Sequence, residues 1–238
     1  MATLFIVPTP IGNLGDITRR SVDILKSTKI ILSEDTRVTK KLMKLLEINY
    51  SDKRFISYFE HNEEHKISEI INLLELENDI ALVSDAGTPI ISDPGYKLVR
   101  EVKRANCADI AVLPGATSVT TALVASTFPP DKFTYLGFLS KKTGEKEKLF
   151  KSVIESHRHI KSTYIAFESG YRILKTLKLM QNIYGENVQV ALCRELTKLH
   201  ESVELGACSE IIDMIEVKKL NLKGELVLVF NILEDKNG

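Results

Sequence analysis

The sequence predicts an α/β protein built on parallel strands, and three observations carry that prediction. Short apolar runs recur, each followed by a loop and then by a helical apolar pattern, as where Ile80–Val83 leads on to Tyr96, Leu98, Val99 and Val102. The loops that close these runs are rich in Gly, Pro, Asp, Ser and Thr, and ligands of open α/β sheets lie beyond the carboxyl ends of the strands. One such stretch, Val83-Ser-Asp-Ala-Gly-Thr-Pro-Ile-Ile-Ser-Asp-Pro-Gly95, holds two glycines, two prolines and two aspartates. A simple turn uses one or two such residues, so this loop is the expected ligand site. An unusually rigid turn is the plainer reading of the same residues.

The 238 residues suit one large or two small domains with a real core. No apolar run approaches the ~20 residues of a membrane span. Met1-Ala-Thr-Leu-Phe-Ile-Val enters a strand directly, without the pattern of a signal peptide. Cys107, Cys193 and Cys208 lie far apart and form no Cys-x-x-Cys pair, which fits a reducing cytoplasm. The 32 basic residues balance the 32 acidic ones. That argues against a coat protein holding bare RNA by phosphate contacts alone, and leaves room for a local basic patch or an assembled partner.

Residues 3–7 predict the first strand. Pro8-Thr-Pro-Ile-Gly-Asn-Leu-Gly-Asp16 follows, stiffened by proline and opened by glycine, before a helix capped at Asp16 or Thr18. The spacing is neither Gly-x-Gly-x-x-Gly nor a P-loop, so dinucleotide and nucleoside-triphosphate readings lose their main support. A second strand, residues 29–32, ends in Ser33-Glu-Asp-Thr-Arg37. Its charges either orient a substrate or cap the helix that runs from Val38 to Leu46. A third strand, residues 54–59, leads into His61-Asn-Glu-Glu-His65, which matches the inverted zinc-protease pattern. So short a match does not make a metal centre; no metal site is expected, and a surface or substrate-facing role fits better.

The strand at residues 109–113 ends in Pro114-Gly-Ala-Thr-Ser118, whose small residues suit a flat ring and a ribose, or an N-capped helix. The strand–helix cycle restarts here, so a domain boundary is expected near residues 114–120. Lys141–Lys148 is the one locally basic segment, read as a solvated helix face in preference to a phosphate contact. Strands at residues 133–138, 162–167, 188–193 and 226–230, with a helix over residues 173–183, complete the second half. The tail, Glu234–Gly238, is expected to fray.

Five of these motifs together resemble the tetrapyrrole methylase superfamily, in particular its branch that acts on small-subunit ribosomal RNA. They are Val7–Asp16, Ser33-Glu-Asp-Thr-Arg37, Ser84–Gly95, Arg194-Glu-Leu-Thr-Lys198 and Lys223-Gly-Glu225. The resemblance implies a class III S-adenosylmethionine-dependent methyltransferase of two α/β domains, 1–115 and 116–238, with the cofactor in the cleft between them. It implies 2′-O-methylation of a cytidine ribose in the decoding region of 16S ribosomal RNA within the small ribosomal subunit, by a homodimer with no membrane partner. For cofactor binding it points to Pro10 and Ile11, to Asp85, Ala86, Gly87, Thr88 and Ile91, to Thr117 and Ser118, and to Phe167 and Glu168. Thr88 stands where tetrapyrrole methylases carry Asp, which argues against a tetrapyrrole substrate. The family's Glu-Ser-Pro-His-Arg is Glu168-Ser-Gly-Tyr-Arg172 here, so no histidine base is available there, and Tyr171 could stack on a nucleobase instead.

A sulfonium methyl donor is already activated, and positioning supplies much of the rate. A ribose hydroxyl needs its proton removed or its oxygen oriented. The candidates are Asp85 first, then Glu34, Asp35, Arg37, Glu168 and Arg194, with the arginines and Lys198 suited to phosphate. Methylation of a small molecule or protein side chain, and a cofactor-binding module without turnover, are the alternatives.

Overall fold

Runs of four apolar residues are too short for buried helices and find their burial as parallel strands covered on both faces. In the computed structural model, which describes residues 1–233, five short strands form one sheet, with the apolar runs at its centre. These are β1 (Thr3–Ile6), β2 (Ile30–Ser33), β3 (Arg54–Ser57), β4 (Ile80–Val83) and β5 (Asp109–Val112). The order is β3-β2-β4-β1-β5, parallel throughout. The predicted frayed tail, Glu234–Gly238, lies outside the described residues.

Alternation along the strands sorts the core. Leu4, Ile6, Ile30, Leu32, Ile80 and Leu82 pack with α3 (Glu63–Glu75) and α4 (Tyr96–Ala105) on one face. Val7, Ile31, Ala81 and Val83 pack with α1 (Arg19–Ser27) and α2 (Thr36–Leu45) on the other. Thr18 caps α1 by accepting from the Ser21 amide, and Asp35 caps α2 by accepting from the Arg37 amide. All five strands point the same way, so every strand-end loop lies at one end of this unit.

The chain divides into two compact units, Met1–Thr117 and the residues from Ser118 onward. The second holds α5 (Ser118–Ala125), β6 (Phe133–Phe138), α6 (Thr143–His159), β7 (Thr163–Ser169), α7 (Ile173–Tyr184), β8 (Val188–Arg194), β9 (Ser202–Ala207), α8 (Cys208–Glu216) and β10 (Glu225–Ile232). Its sheet, β6-β7-β10-β8-β9, is mixed: β6 and β7 are parallel, while β10 runs antiparallel to both its neighbours and β9 antiparallel to β8. A wholly parallel reading fails here because β10 returns between two parallel strands. The register sets Leu226 opposite both Glu168 and Arg194, so the ends of β7 and β8 and the start of β10 share one sheet edge.

The basic segment is not wholly a solvated face. Lys146, Phe150 and Val153 recur at helical spacing on the inward side of α6, and Lys146 is only 2% exposed. Its Nζ lies 3.3 Å from Glu168 Oε2 and donates to Thr176 Oγ1 at 2.6 Å. The Thr176 hydroxyl donates onward to Glu168 Oε2 at 2.8 Å. Glu168 Oε1 takes the Ser169 amide at 2.8 Å and Arg172 Nε at 2.7 Å. Burial works to raise the Glu168 carboxyl, but the Ser169 amide, Arg172, Thr176 and Lys146 together hold it below the usual carboxylate range.

Removing one partner of a buried ion pair costs about 3–5 kcal/mol, because the other charge is left uncompensated. Lys146→Met is therefore expected to lose about 3 kcal/mol in urea unfolding at neutral pH, and Glu168→Gln in that background to recover part of it. The depressed Glu168 pKa gives stability that is present above the unfolded-state value and lost as pH falls through the folded one. The Lys146→Met penalty should accordingly shrink in acid. An unchanged urea midpoint would show that the network does not bear on stability.

Candidate active site

The first unit's strand-end loops are laced together. The backbones of Thr9 and Gly87 exchange hydrogen bonds, Thr9 N to Gly87 O at 2.9 Å and Gly87 N to Thr9 O at 3.1 Å. The Thr9 hydroxyl donates to the Ser84 carbonyl at 3.2 Å, and Ser84 Oγ donates to the Gly87 carbonyl at 3.2 Å. Thr88 Oγ1 donates to the Ala116 carbonyl at 3.1 Å. Gly87 has φ +85°, and a Cβ there would lie 3.2 Å from Ile11 Cγ2, so glycine lets the two loops close on each other. Thus Pro10, Ile11, Asp85, Ala86, Gly87, Thr88 and Thr117 fall in one cluster of loops. Ile91 stands out from it, 48% exposed. Ile90 beside it adopts φ +79°, and Ser92 adopts φ +64°. A β-branched residue at positive φ is strained, a cost of order 1–3 kcal/mol that concentrates at ligand clamps.

Carboxylates converge on the same loops. Asp85 Oδ1 accepts from the Asp35 amide at 3.1 Å. Burial raises the Asp85 carboxyl above its ordinary range, and Asp35 adds to this, against the Asp35 amide and Arg37. Glu34 is raised by burial, then by Asp85, Asp35 and Glu60. Asp93 is pushed up to about 6, by burial first and then by Glu34. Asp35 goes the other way, to about 2, through its hydrogen bonds with Arg37, whose Nη2 lies 2.6 Å from Asp35 Oδ2. The Arg37 side chain is otherwise open to solvent. Glu63, absent from the sequence-based set, anchors the far end of the central loop. Its Oε2 accepts from the Gly95 amide at 3.3 Å, and its Oε1 pairs with Lys97 at 3.1 Å. Only its place in the apolar phase of α3 signals this. His61 precedes α3, which starts at Glu63, so His61 and His65 do not share a helical face. Among the described residues no group of three or more His, Cys, Asp or Glu could hold a metal ion.

Two of the charged candidates in the second unit turn out to be committed elsewhere. Glu168 already accepts from the four donors described above, which argues against it as an acceptor for a substrate hydroxyl. Arg194 donates to Ser202 Oγ at 3.2 Å, to the Lys223 carbonyl at 3.2 Å and to the His200 carbonyl. It clamps the loops around it with three of its five N–H groups. Lys198 is likewise paired with Glu195 at 3.0 Å and Glu225 at 3.1 Å. Aromatic rings are what this end presents: Phe167 meets Phe138 and Tyr135 edge-on at centroid distances of 5.0 and 5.3 Å, and Tyr171 is fully exposed. Ser118 opens α5. A Cβ at Gly170 would fall 1.9 Å from the Leu222 carbonyl oxygen, so this backbone admits no proline at that position, the physical counterpart of the departure from Glu-Ser-Pro-His-Arg.

The sequence profile of the Tetrapyrrole (Corrin/Porphyrin) Methylases matches residues 3–212. A protein of Mycoplasmopsis pulmonis (strain UAB CTIP) named Ribosomal RNA small subunit methyltransferase I is 43% identical, over 98% of this chain and 99% of that one. Its namesake in Hydrogenobaculum sp. (strain Y04AAS1) is 44% identical, over 96% of this chain and 95% of that one. Among solved structures, the methyltransferase CobJ matches with a TM-score of 0.70 at 14% identity, over 100% of this chain and 98% of that one. A cobalt precorrin-4 methyltransferase of cobalamin biosynthesis matches with a TM-score of 0.67 at 19% identity, over 96% and 94%. These two likenesses concern the fold alone. With the profile spanning most of the sequence and full-length relatives on either side, the chain belongs to the tetrapyrrole methylase family.

Proposed function

We propose that this chain transfers a methyl group from S-adenosylmethionine to the ribose 2′-hydroxyl of a cytidine in 16S ribosomal RNA, acting on the small ribosomal subunit as a homodimer. The observation that carries this reading is the full-length likeness to methyltransferases named for small-subunit ribosomal RNA. S-adenosylmethionine is the methyl donor of this family.

The first unit's residues fit such a donor. Gly87 lets backbone come close at the loop cluster, Ile91 offers exposed apolar surface, and Glu34, Asp85 and Asp93 supply negative charge for a sulfonium. Pro10, Ile11, Asp85, Ala86, Gly87, Thr88, Ile91 and Thr117 would hold it. The bound donor supplies a methyl on a positively charged sulfur, open to in-line displacement. Asp85 then serves as the base: one oxygen is fixed by the Asp35 amide, the other takes the 2′-hydroxyl proton, and the raised pKa brings it closer to a useful range. Arg37, oriented by Asp35, meets a phosphate, and the exposed Tyr171 ring stacks on a nucleobase.

Incubation with labelled donor and small subunits from cells lacking the protein should label 16S RNA at one cytidine, and nucleoside mass mapping should place the label on the 2′-oxygen. Label recovered only in small molecules or protein would overturn the reading.

Asp85→Asn is expected to lower kcat about 10²–10⁴-fold, with donor affinity changed only a few-fold by calorimetry. Full turnover would remove Asp85 as the base.

Protonating Asp93 near pH 6 removes a charge that favours the sulfonium, so donor affinity should fall between pH 7 and pH 5, and Asp93→Asn should flatten that profile. The raised pKa also means that Asp93 contributes stability fully present below its unfolded value and lost as pH rises through about 6. Asp93→Asn should therefore raise the urea midpoint at pH 8 and not at pH 4. A wild-type affinity independent of pH would exclude this role.

A further inference from the structure

On the face of the second sheet where β8 and β10 carry Leu192, Leu226 and Leu228, β9 places Ser202, Glu204 and Gly206. This breaks the apolar pattern of a covered face, and such local breaks collect at functional sites. Gly206 has a packing reason, since a Cβ there would meet Glu210 and Ile211 of α8. Glu204 has none. It borders a cavity of about 190 Å³ that is lined by Leu192, Leu220, Leu222 and Leu226, with Asn221 beside it and Lys219 at the rim. Glu204 is half-buried, and neither a hydrogen bond nor an ion pair reaches its carboxylate among the described residues. Arg194 also lines the cavity, where three of its five N–H groups are engaged by Ser202, Lys223 and His200. A half-buried carboxylate beside apolar walls, with no donor from the protein, is open to donors that a ligand supplies.

We propose that this cavity is a subsite for an unstacked guanine of the RNA substrate. The purine ring lies among the leucines, its N1–H and 2-amino group both donate to Glu204, and its phosphate meets Lys219. An ionised carboxylate only accepts hydrogen bonds, and guanine is the base with two neighbouring donors on its Watson–Crick edge. Cytosine and adenine set an acceptor nitrogen beside their amino group, which a carboxylate repels, and uracil sets its single N–H between two carbonyls. Unstacked bases read on that edge are the usual targets of sequence-specific RNA recognition. The assignment rests on the RNA substrate proposed above.

Two measurements on the full chain test it. In methyl-detected NMR, millimolar GMP should shift the Leu220 and Leu222 methyl signals, with AMP, CMP and UMP shifting them less, and Glu204→Gln should abolish the GMP effect. In methyl transfer to small subunits, Glu204→Gln should raise KM about tenfold, as loss of one bidentate base contact does, with donor affinity and urea midpoint unchanged. No GMP shift, equal shifts from all four nucleotides, a preference for CMP, an unchanged KM, or a parallel loss of donor affinity and stability would each overturn the assignment. The NMR arm needs no turnover, so a wild-type protein inactive on subunits would count against the methylation reading, while the nucleotide preference would still decide the subsite.

Discussion

Two backbone hydrogen bonds between Thr9 and Gly87 set the geometry on which the first unit's ligand end depends. β1 and β4 are neighbours in the sheet, yet their chains leave it on opposite faces, β1 toward β2 and β4 toward β5. Loops that part in this way would ordinarily open a loose crevice. The bridge instead continues the pairing past the sheet as a short antiparallel contact, which the positive φ of Gly87 makes possible. With Thr88 tied to Ala116 and Gly95 tied to Glu63, the central loop is held at three points. That surrounding constraint lets the strained Ile90 and Ser92 persist. It also fixes Asp85 and Asp93 before any ligand arrives, the pre-organisation that a positioning enzyme requires.

The second unit spends its charges differently. Glu168, Lys146, Arg172 and Thr176 satisfy one another, and Arg194 clamps the loops around it. In sequence these residues sit at strand ends beside family motifs and look available for chemistry. In the fold they hold the frame, and Phe138, Phe167 and Tyr171 face outward instead. Buried polar networks of this kind hold only when every member is satisfied, and each lone pair of Glu168 has a named donor.

Periodicity made the α/β class and the recurring cadence of strand, loop and helix legible in the first half, because the central strands there carry continuous apolar runs. The loops that matter were legible too, since Gly, Pro and Asp at Ser84–Gly95 cannot be explained by a turn alone. What stayed hidden was of two kinds. β9 and α8 went unread because an edge strand with Ser202, Glu204 and Gly206 on one face shows no clean alternation. The inward lysine was also hidden: Lys146 reads as one more charge in Lys141–Lys148, and only the helical phase shared with Phe150 and Val153 turns it into the core. Glu63 escaped for the same reason, an acid in an apolar phase whose partner, the Gly95 amide, lies 32 residues away.

Electrostatics connect these observations. Net charge is zero over the whole chain, yet Glu34, Asp85 and Asp93 crowd one end of the first unit, and burial is the leading reason that each holds its proton more tightly. A polyanion would be repelled by three ionised acids in that place, whereas a sulfonium would be drawn to them. In the proposed reaction the donor's positive charge offsets part of the cluster, which weakens the repulsion that the RNA backbone then meets. In that proposal Asp93, pushed up to about 6, is charged for the donor at neutral pH, and Asp85, raised by burial in the same loop, takes the hydroxyl proton. The same acids that hold the donor therefore leave a base beside it, and a loop dense in aspartate suits both tasks because its backbone is tied down on every side.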